Sequence, residues 1–137
     1  MNQRVFRHTV RVPYAHIDQM GYVYYANYYV YFEMARAEML REAGMPYTDM
    51  EKRGVMLPVV VSHCEYRKPA HFDDLLGIET RCTEIKGTRL RIEYVVTRGE
   101  TVLVNGYTEH VCLSIPGGKV LRPLPELRHL LNEVESG

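Results

Sequence analysis

Apolar and polar residues alternate near the start of the chain. Phe6-Arg7-His8-Thr9-Val10-Arg11-Val12 reads mostly as a strand with one buried face, and Pro13 ends or edges it. From about Tyr25 the period lengthens. Tyr25, Tyr28, Tyr29, Phe32, Ala35, Met39 and Ala43 recur at i, i+3, i+4 and i+7, which predicts a long helix. Val30, Tyr31 and Met34 widen its apolar surface beyond one stripe, so other structure is expected to wrap it, with Arg36, Glu38, Arg41 and Glu42 as its solvated part. Gly44 followed by Pro46 is a helix stop, and Tyr47 to Gly54 allows one more short helical turn.

The rest of the chain reads as strands: Leu57 to Tyr66, Leu75 to Ile85, Arg89 to Thr97 and Thr101 to Ile115. Lys86-Gly87 and Arg98-Gly99-Glu100 are short enough to be turns between antiparallel neighbours. Pro123 to Val134 closes the chain with a short helix. A strand, a long apolar helix and four further strands predict an α+β fold in which one sheet curls around one helix. At 137 residues, with no repeat or linker, the whole chain 1–137 is expected to form one domain.

Composition narrows the functional classes. Lys and Arg number 17, as do Asp and Glu, and this balance argues against a dedicated nucleic-acid binder. No apolar run approaches the roughly 20 residues of a membrane span, and the start of the chain has no signal-peptide core. Cys64, Cys82 and Cys112 are far apart, form no CxxC and fall in strand-like stretches. They are expected to be buried free thiols, which fits a reducing cytoplasm. His63, His71 and His110 lack metal-ligand spacing, so no metal site is expected. There is no GxSxG elbow and no phosphate-binding glycine loop.

Six of the 11 tyrosines lie between Tyr22 and Tyr31, and a single carboxylate, Asp18, stands just ahead of them. Such an Asp can cap a turn. It can also face an electrophile, because the N-terminus of the following helix has unpaired N–H groups suited to a developing oxyanion. A carboxylate with an N–H donor is a minimal set for acyl transfer.

Three stretches resemble the hotdog-fold acyl-CoA thioesterases of the 4-hydroxybenzoyl-CoA thioesterase type, including members associated with the Tol–Pal cell-envelope system. YAHIDQMGYVYYANYYVYFEMARAEMLREAG is similar to the family's D-x-x-G-x-V-Y-x-x-N-Y…F-E-x-A-R-x-E motif. EYRKPAHFDDLLGIET and TEHVCLSIPGGKVLRPLP are similar to its later strands. The resemblance implies a hotdog fold: a five-stranded antiparallel sheet wrapped around one central helix. It also implies a homodimer or homotetramer, with sheets joined edge to edge and active sites at the subunit interface. Asp18 then corresponds to the catalytic carboxylate, as nucleophile or general base. Tyr25, where many relatives have histidine, offers its backbone N–H to the thioester oxygen. The expected reaction is hydrolysis of an acyl-CoA to free acid and CoA, without metal or cofactor.

Tyr22 and Tyr24 then become candidates to line the acyl pocket. Asn27 is expected to tie down backbone at the helix start, with substrate contact as its other reading. Asp73 and Asp74 sit at a strand entrance, where a turn role is expected. The phosphates of CoA call for cations: Lys86 matches a turn where relatives place basic residues, and Lys68 and Arg89 are further candidates, each alternatively a solvated surface cation. Two rival functions remain open at this level, a hydratase or dehydratase on the same fold and a non-catalytic acyl-thioester binder.

Overall fold

A computed structural model describes residues 4–131. Seven strands form one antiparallel sheet: β1 (Phe6–Arg11), β2 (Val55–Met56), β3 (Val59–Tyr66), β4 (Leu75–Lys86), β5 (Arg89–Arg98), β6 (Thr101–Ser114) and β7 (Val120–Leu121). The five long strands run in the order β1-β4-β5-β6-β3. β2 and β7 are two-residue additions to the far end of β6. The helices are α1 (Asn27–Glu42) and α2 (Tyr47–Lys52). The expected closing helix is a 3-10 turn, Pro125–Leu130, and the part of that expectation beyond residue 131 lies outside the described residues. Among the described residues, no helix is long and apolar enough to cross a membrane.

The sheet wraps α1, as the alternation and the wide apolar helix surface predict. Leu76, Ile78 and Cys82 of β4 and Leu90, Ile92, Tyr94 and Val96 of β5 alternate inward and are buried. They meet Tyr28, Tyr31, Phe32, Ala35, Met39 and Leu40 of α1 in one core. Phe32 stacks flat on Tyr94, with ring centroids 4.2 Å apart and planes 6° apart. Gly106 of β6 makes this approach possible. A methyl group there would come within 2.6 Å of the Phe32 ring and 2.7 Å of the His63 carbonyl oxygen. The helix stops where Gly44 and Pro46 predict. Gly44 takes φ +87°, its N–H reaches Arg41 O, and Met45 N–H reaches Leu40 O at 2.8 Å, a Schellman closure.

Three helix expectations are corrected. The helix begins at Asn27, leaving Tyr25 in the preceding turn, because Tyr24 N–H is drawn to His16 O and not into a helical ladder. Tyr29 is half-buried, while Val30 and Met34 remain exposed in a single chain. Arg36, placed on the solvated face, is buried. Its guanidinium donates to Tyr47 Oη at 2.8 Å and Tyr94 Oη at 3.0 Å. The thiols differ too: Cys82 and Cys112 are buried as expected, but Cys64 is only half-buried, because it lies on the edge strand β3.

Hydrogen bonds carry the Arg36 network onward in one direction. Leu57 O can only accept, so His110 Nδ1 donates to it at 3.0 Å, and neutral His110 Nε2 accepts from Thr108 Oγ1 at 2.8 Å. Thr108 Oγ1 then accepts from Tyr94 Oη at 2.7 Å, and Tyr94 Oη accepts from Arg36. Burial, with the nearby Arg36 charge adding to it, pushes the His110 pKa down to about 4, although the bond to Leu57 O opposes this.

Two expected outcomes follow from this packing. Gly106→Ala lowers unfolding stability by about 1–3 kcal/mol through overpacking against Phe32, measured as a lower urea midpoint. His110 binds a proton more weakly folded than unfolded, so lowering the pH from about 6.5 to about 4 removes stability, and the loss levels off below that. Over that window the wild type loses about 3 kcal/mol more than the non-titrating His110→Gln, from a drop of roughly 2.5 pH units, read from urea curves at each pH.

Candidate active site

The segment from Tyr14 to Ala26 is a folded loop anchored on both sides. Val12 N–H bonds Asp74 O and Asp73 N–H bonds Val12 O, tying the end of β1 to the entrance of β4. After a 3-10 turn at Tyr14–His16, Ile17 pairs with Val23 as an isolated antiparallel bridge. Asp18 N–H to Tyr22 O and Tyr24 N–H to His16 O, both 2.9 Å, close a miniature hairpin around Asp18. Gly21 supplies its turn at φ +84°, a conformation that strains residues with a Cβ. Val23 N–H reaches Ala70 O at 2.9 Å and fixes the hairpin against the β3–β4 connection.

Within this hairpin the two readings of Asp18 prove compatible. Oδ1 accepts from Met20 N–H at 2.9 Å and more loosely from Tyr22 N–H at 3.4 Å, which is the turn-capping role. Among the described residues Oδ2 has no hydrogen-bond partner. Asp18 borders a cleft of about 290 Å³. Its walls are mainly aromatic and apolar, with Tyr22, Tyr25, Tyr28 and Tyr66 together with Met20, Val23 and Pro69, and Arg67 and Lys68 stand beside them.

Tyr25 sits on this cleft in the turn ahead of α1, with its side chain 58% exposed. The neighbouring Tyr24 N–H and Asn27 N–H are bonded, whereas the N–H groups of Tyr25 and the following Ala26 have no acceptor among the described residues. The two residues that carry the expected carboxylate and spare backbone donor, Asp18 and Tyr25, thus border one cavity.

The other candidate residues divide. Tyr22 and Lys68 line the cleft. Tyr24 does not; its ring packs on Tyr25, with centroids 4.8 Å apart. Asn27 acts on backbone, donating Nδ2–H to His16 O at 3.2 Å. Lys86 and Arg89 lie far from Asp18 within one chain. They border a separate groove of about 130 Å³ with Glu84, Leu90, Arg91 and Glu109. They flank the β4–β5 turn, whereas Asp18 lies by the opposite ends of these long strands. Asp73 and Asp74 serve the turn, Asp73 at φ 66° and Asp74 through His71 N–H and Arg98. Burial opposes ionisation of Asp74, but these partners outweigh it and hold its carboxyl below the ordinary range.

No histidine lines the cleft among the described residues. His16 turns its ring to the buried Tyr31, with Nδ1 2.8 Å from the hydroxyl oxygen. No group of three His, Cys, Asp or Glu gathers to hold a metal among the described residues. Tyr66 was given no role from the sequence, although it is the tyrosine of the stretch EYRKPAHFDDLLGIET that carries the second resemblance; a tyrosine ending a strand is ordinary, and its contacts across the fold are not local.

Comparisons with known proteins show which family the chain resembles. The family model described as the thioesterase superfamily matches residues 20–105. The acyl-CoA thioester hydrolase YbgC of Escherichia coli is 37% identical over 105 residues, covering 77% of this chain and 78% of that protein. A hypothetical protein of Thermus thermophilus superposes with a TM-score of 0.85 at 37% identity, covering 91% of this chain and 96% of the other. The DHNA-CoA thioesterase of Staphylococcus aureus superposes with a TM-score of 0.82 at 27% identity, covering 86% and 80%.

Proposed function

The chain belongs to the thioesterase superfamily and has the hotdog fold, and on that basis we propose that it hydrolyses an acyl-CoA thioester to the free acid and CoA at the Asp18 cleft. One observation carries the assignment: Asp18, with an uncommitted carboxylate oxygen, and Tyr25, whose backbone N–H is unpaired among the described residues, border the same cavity. The thioester oxygen lies at Tyr25 N–H, which stabilises the negative charge that develops as the carbonyl carbon becomes tetrahedral. Asp18 either takes a proton from the attacking water or attacks the carbon itself, forming an anhydride that water then opens. The C–S bond breaks in both cases, and CoA leaves as a thiolate that takes up a proton. A backbone donor is indifferent to side-chain identity, so tyrosine in place of the family's frequent histidine leaves it intact. Tyr22, Tyr25 and Tyr28 form the wall against which the acyl group lies.

This reading includes a homodimer, for which the exposed edge of the sheet is the support. Among the described residues the eight-residue edge strand β3 pairs only with β6 and exposes Val59 and Val60, 45% and 44% accessible, an edge that invites pairing. A two-fold axis that joins β3 to its own copy runs the two strands antiparallel. The Tyr66 end of one then lies beside the Val59 end of the other. Val59 pairs with His110, and neighbouring Val111 pairs with Arg89, so the partner's β4–β5 turn falls at the same end of the joined sheet as Asp18. Lys86 and Arg89 thereby serve the CoA phosphates across the interface, while Lys68 serves within the chain. The free thiols support a reducing compartment such as the cytoplasm.

Asp18→Asn is expected to lower kcat for thiol release from acyl-CoA by about 100-fold or more, with an unchanged circular-dichroism spectrum. Retention of full activity would overturn the assignment. The double variant Lys86→Ala, Arg89→Ala is expected to raise KM for acyl-CoA while leaving KM unchanged for the same acyl group on N-acetylcysteamine, which lacks phosphates. The two esters are compared in one thiol-release assay.

A further inference from the structure

Tyr66 stands on the cleft wall between two parts of the site that are otherwise separate in sequence. It is the last residue of β3, opposite Val104 of β6. The strand is gripped just beyond it, where Arg67 N–H and Lys68 N–H both reach Leu103 O, at 2.8 and 3.1 Å. From this anchored position the ring packs on Tyr28, with centroids 5.6 Å apart, and edge-on to Tyr25 at 6.1 Å and 84°. Its hydroxyl donates to the carbonyl oxygen of Tyr25 at 3.3 Å.

The backbone around Tyr25 is held on both sides of its unpaired N–H. Upstream, Tyr24 N–H is fixed to His16 O. Downstream, Tyr25 O accepts two bonds, from Tyr28 N–H at 3.3 Å and from the Tyr66 hydroxyl. The Tyr28 bond belongs to the first turn of α1, where helices fray, so it restrains the carbonyl weakly alone. The Tyr66 bond comes from the sheet and references the turn to a rigid element. A donor that acts on a transition state gains from being held in place beforehand, because no reorganisation is then needed as charge develops.

We propose that Tyr66 is a positioning residue for thioester hydrolysis: its hydroxyl, fixed to the sheet, holds the carbonyl on the far side of the Tyr25 Cα and so limits backbone rotation at Tyr25, keeping the Tyr25 N–H in the preceding peptide group aimed at the thioester oxygen. This rests on the assignment of that N–H as the oxyanion donor. Burial, reinforced by Cys64, raises the Tyr66 pKa well above the ordinary tyrosine value, so the hydroxyl keeps its proton and remains a donor through the working pH range. The residue touches the reaction only through Tyr25.

The test is Tyr66→Phe, which keeps the ring and the cleft wall and deletes one oxygen. Steady-state thiol release is measured on the best acyl-CoA of a panel. Binding of two non-hydrolysable CoA compounds is measured beside it: a trifluoromethyl ketone, which places an oxyanion-like oxygen in the donor site, and a thioether lacking the carbonyl. The expected result is a kcat about 10-fold lower with KM within two-fold, about 10-fold weaker ketone binding and unchanged thioether binding, at an unchanged melting temperature. Unchanged kcat overturns the proposal. So does a rise in KM alone, or equal weakening of both ligands, either of which would make Tyr66 a packing residue. A lower melting temperature with the kcat and ketone effects restored in Tyr66→Phe by a stabilising osmolyte overturns it as well. Failure of the wild type to release thiol from any ester overturns the hydrolase reading and this inference together, whereas an active wild type matched by an equally active Tyr66→Phe overturns this inference alone.

Discussion

The contact between Phe32 and the sheet at Gly106 is the constraint on which the rest of the architecture depends. A helix normally stands off a sheet by the thickness of two layers of side chains. Here one layer is missing at one position, and the Phe32 ring drops onto Tyr94. That close approach lets a sheet of five long strands curl around a single 16-residue helix. It also draws Arg36, one turn further along α1, inside. A buried guanidinium must find oxygen partners, and the hydroxyls of Tyr47 and Tyr94 provide them without a carboxylate. The proton order from Arg36 to His110 follows from the same burial.

Seating α1 at that depth decides where its N-terminal end emerges. The turn ahead of it opens beside the end of β3 and the β3–β4 connection, and the cleft is the space these segments leave. Asp18 reaches the cleft from a hairpin whose own hydrogen bonds employ only one of its carboxylate oxygens. A turn cap and a reactive carboxylate are therefore not competing descriptions. The first immobilises the group, and the second uses what is left over. The backbone around Tyr25 has a similar economy, with Tyr24 N–H and Asn27 N–H bonded and the N–H groups of Tyr25 and Ala26 left without acceptors among the described residues.

The distribution of cations points outward from the single chain. Lys68 stands at the cleft, but Lys86 and Arg89 are carried away from it by the length of β4 and β5. A strand advances about 3.3 Å per residue, so a hairpin arm of ten residues or more separates its turn from its base by tens of ångströms. The proposed pairing of β3 with a second copy in antiparallel register is the arrangement that would reunite them.

Much of this was legible in the linear pattern. Period-two alternation marked the long strands, the three-to-four spacing marked α1, and Gly44 with Pro46 marked its end, because each of these rests on local backbone geometry and on which side of an element meets water. The motif around Asp18 likewise singled out the carboxylate and the Tyr25 donor. Other features were not local. Arg36 looked solvated because charge is usually outside, and only the depth of α1 in the sheet buries it. Helix periodicity reached back to Tyr25, but a bond from Tyr24 to His16 O starts the helix two residues later. Tyr66 belongs to a stretch that carries the resemblance, but its bond to Tyr25 O joins two segments 41 residues apart, which no local pattern could show. The linear pattern determined the elements, their order and the candidate carboxylate Asp18, since these depend on neighbours along the chain. Tertiary structure alone decided which groups face the cleft, which charges are buried and which cations lie out of reach, since each depends on distances set by packing between elements remote in sequence.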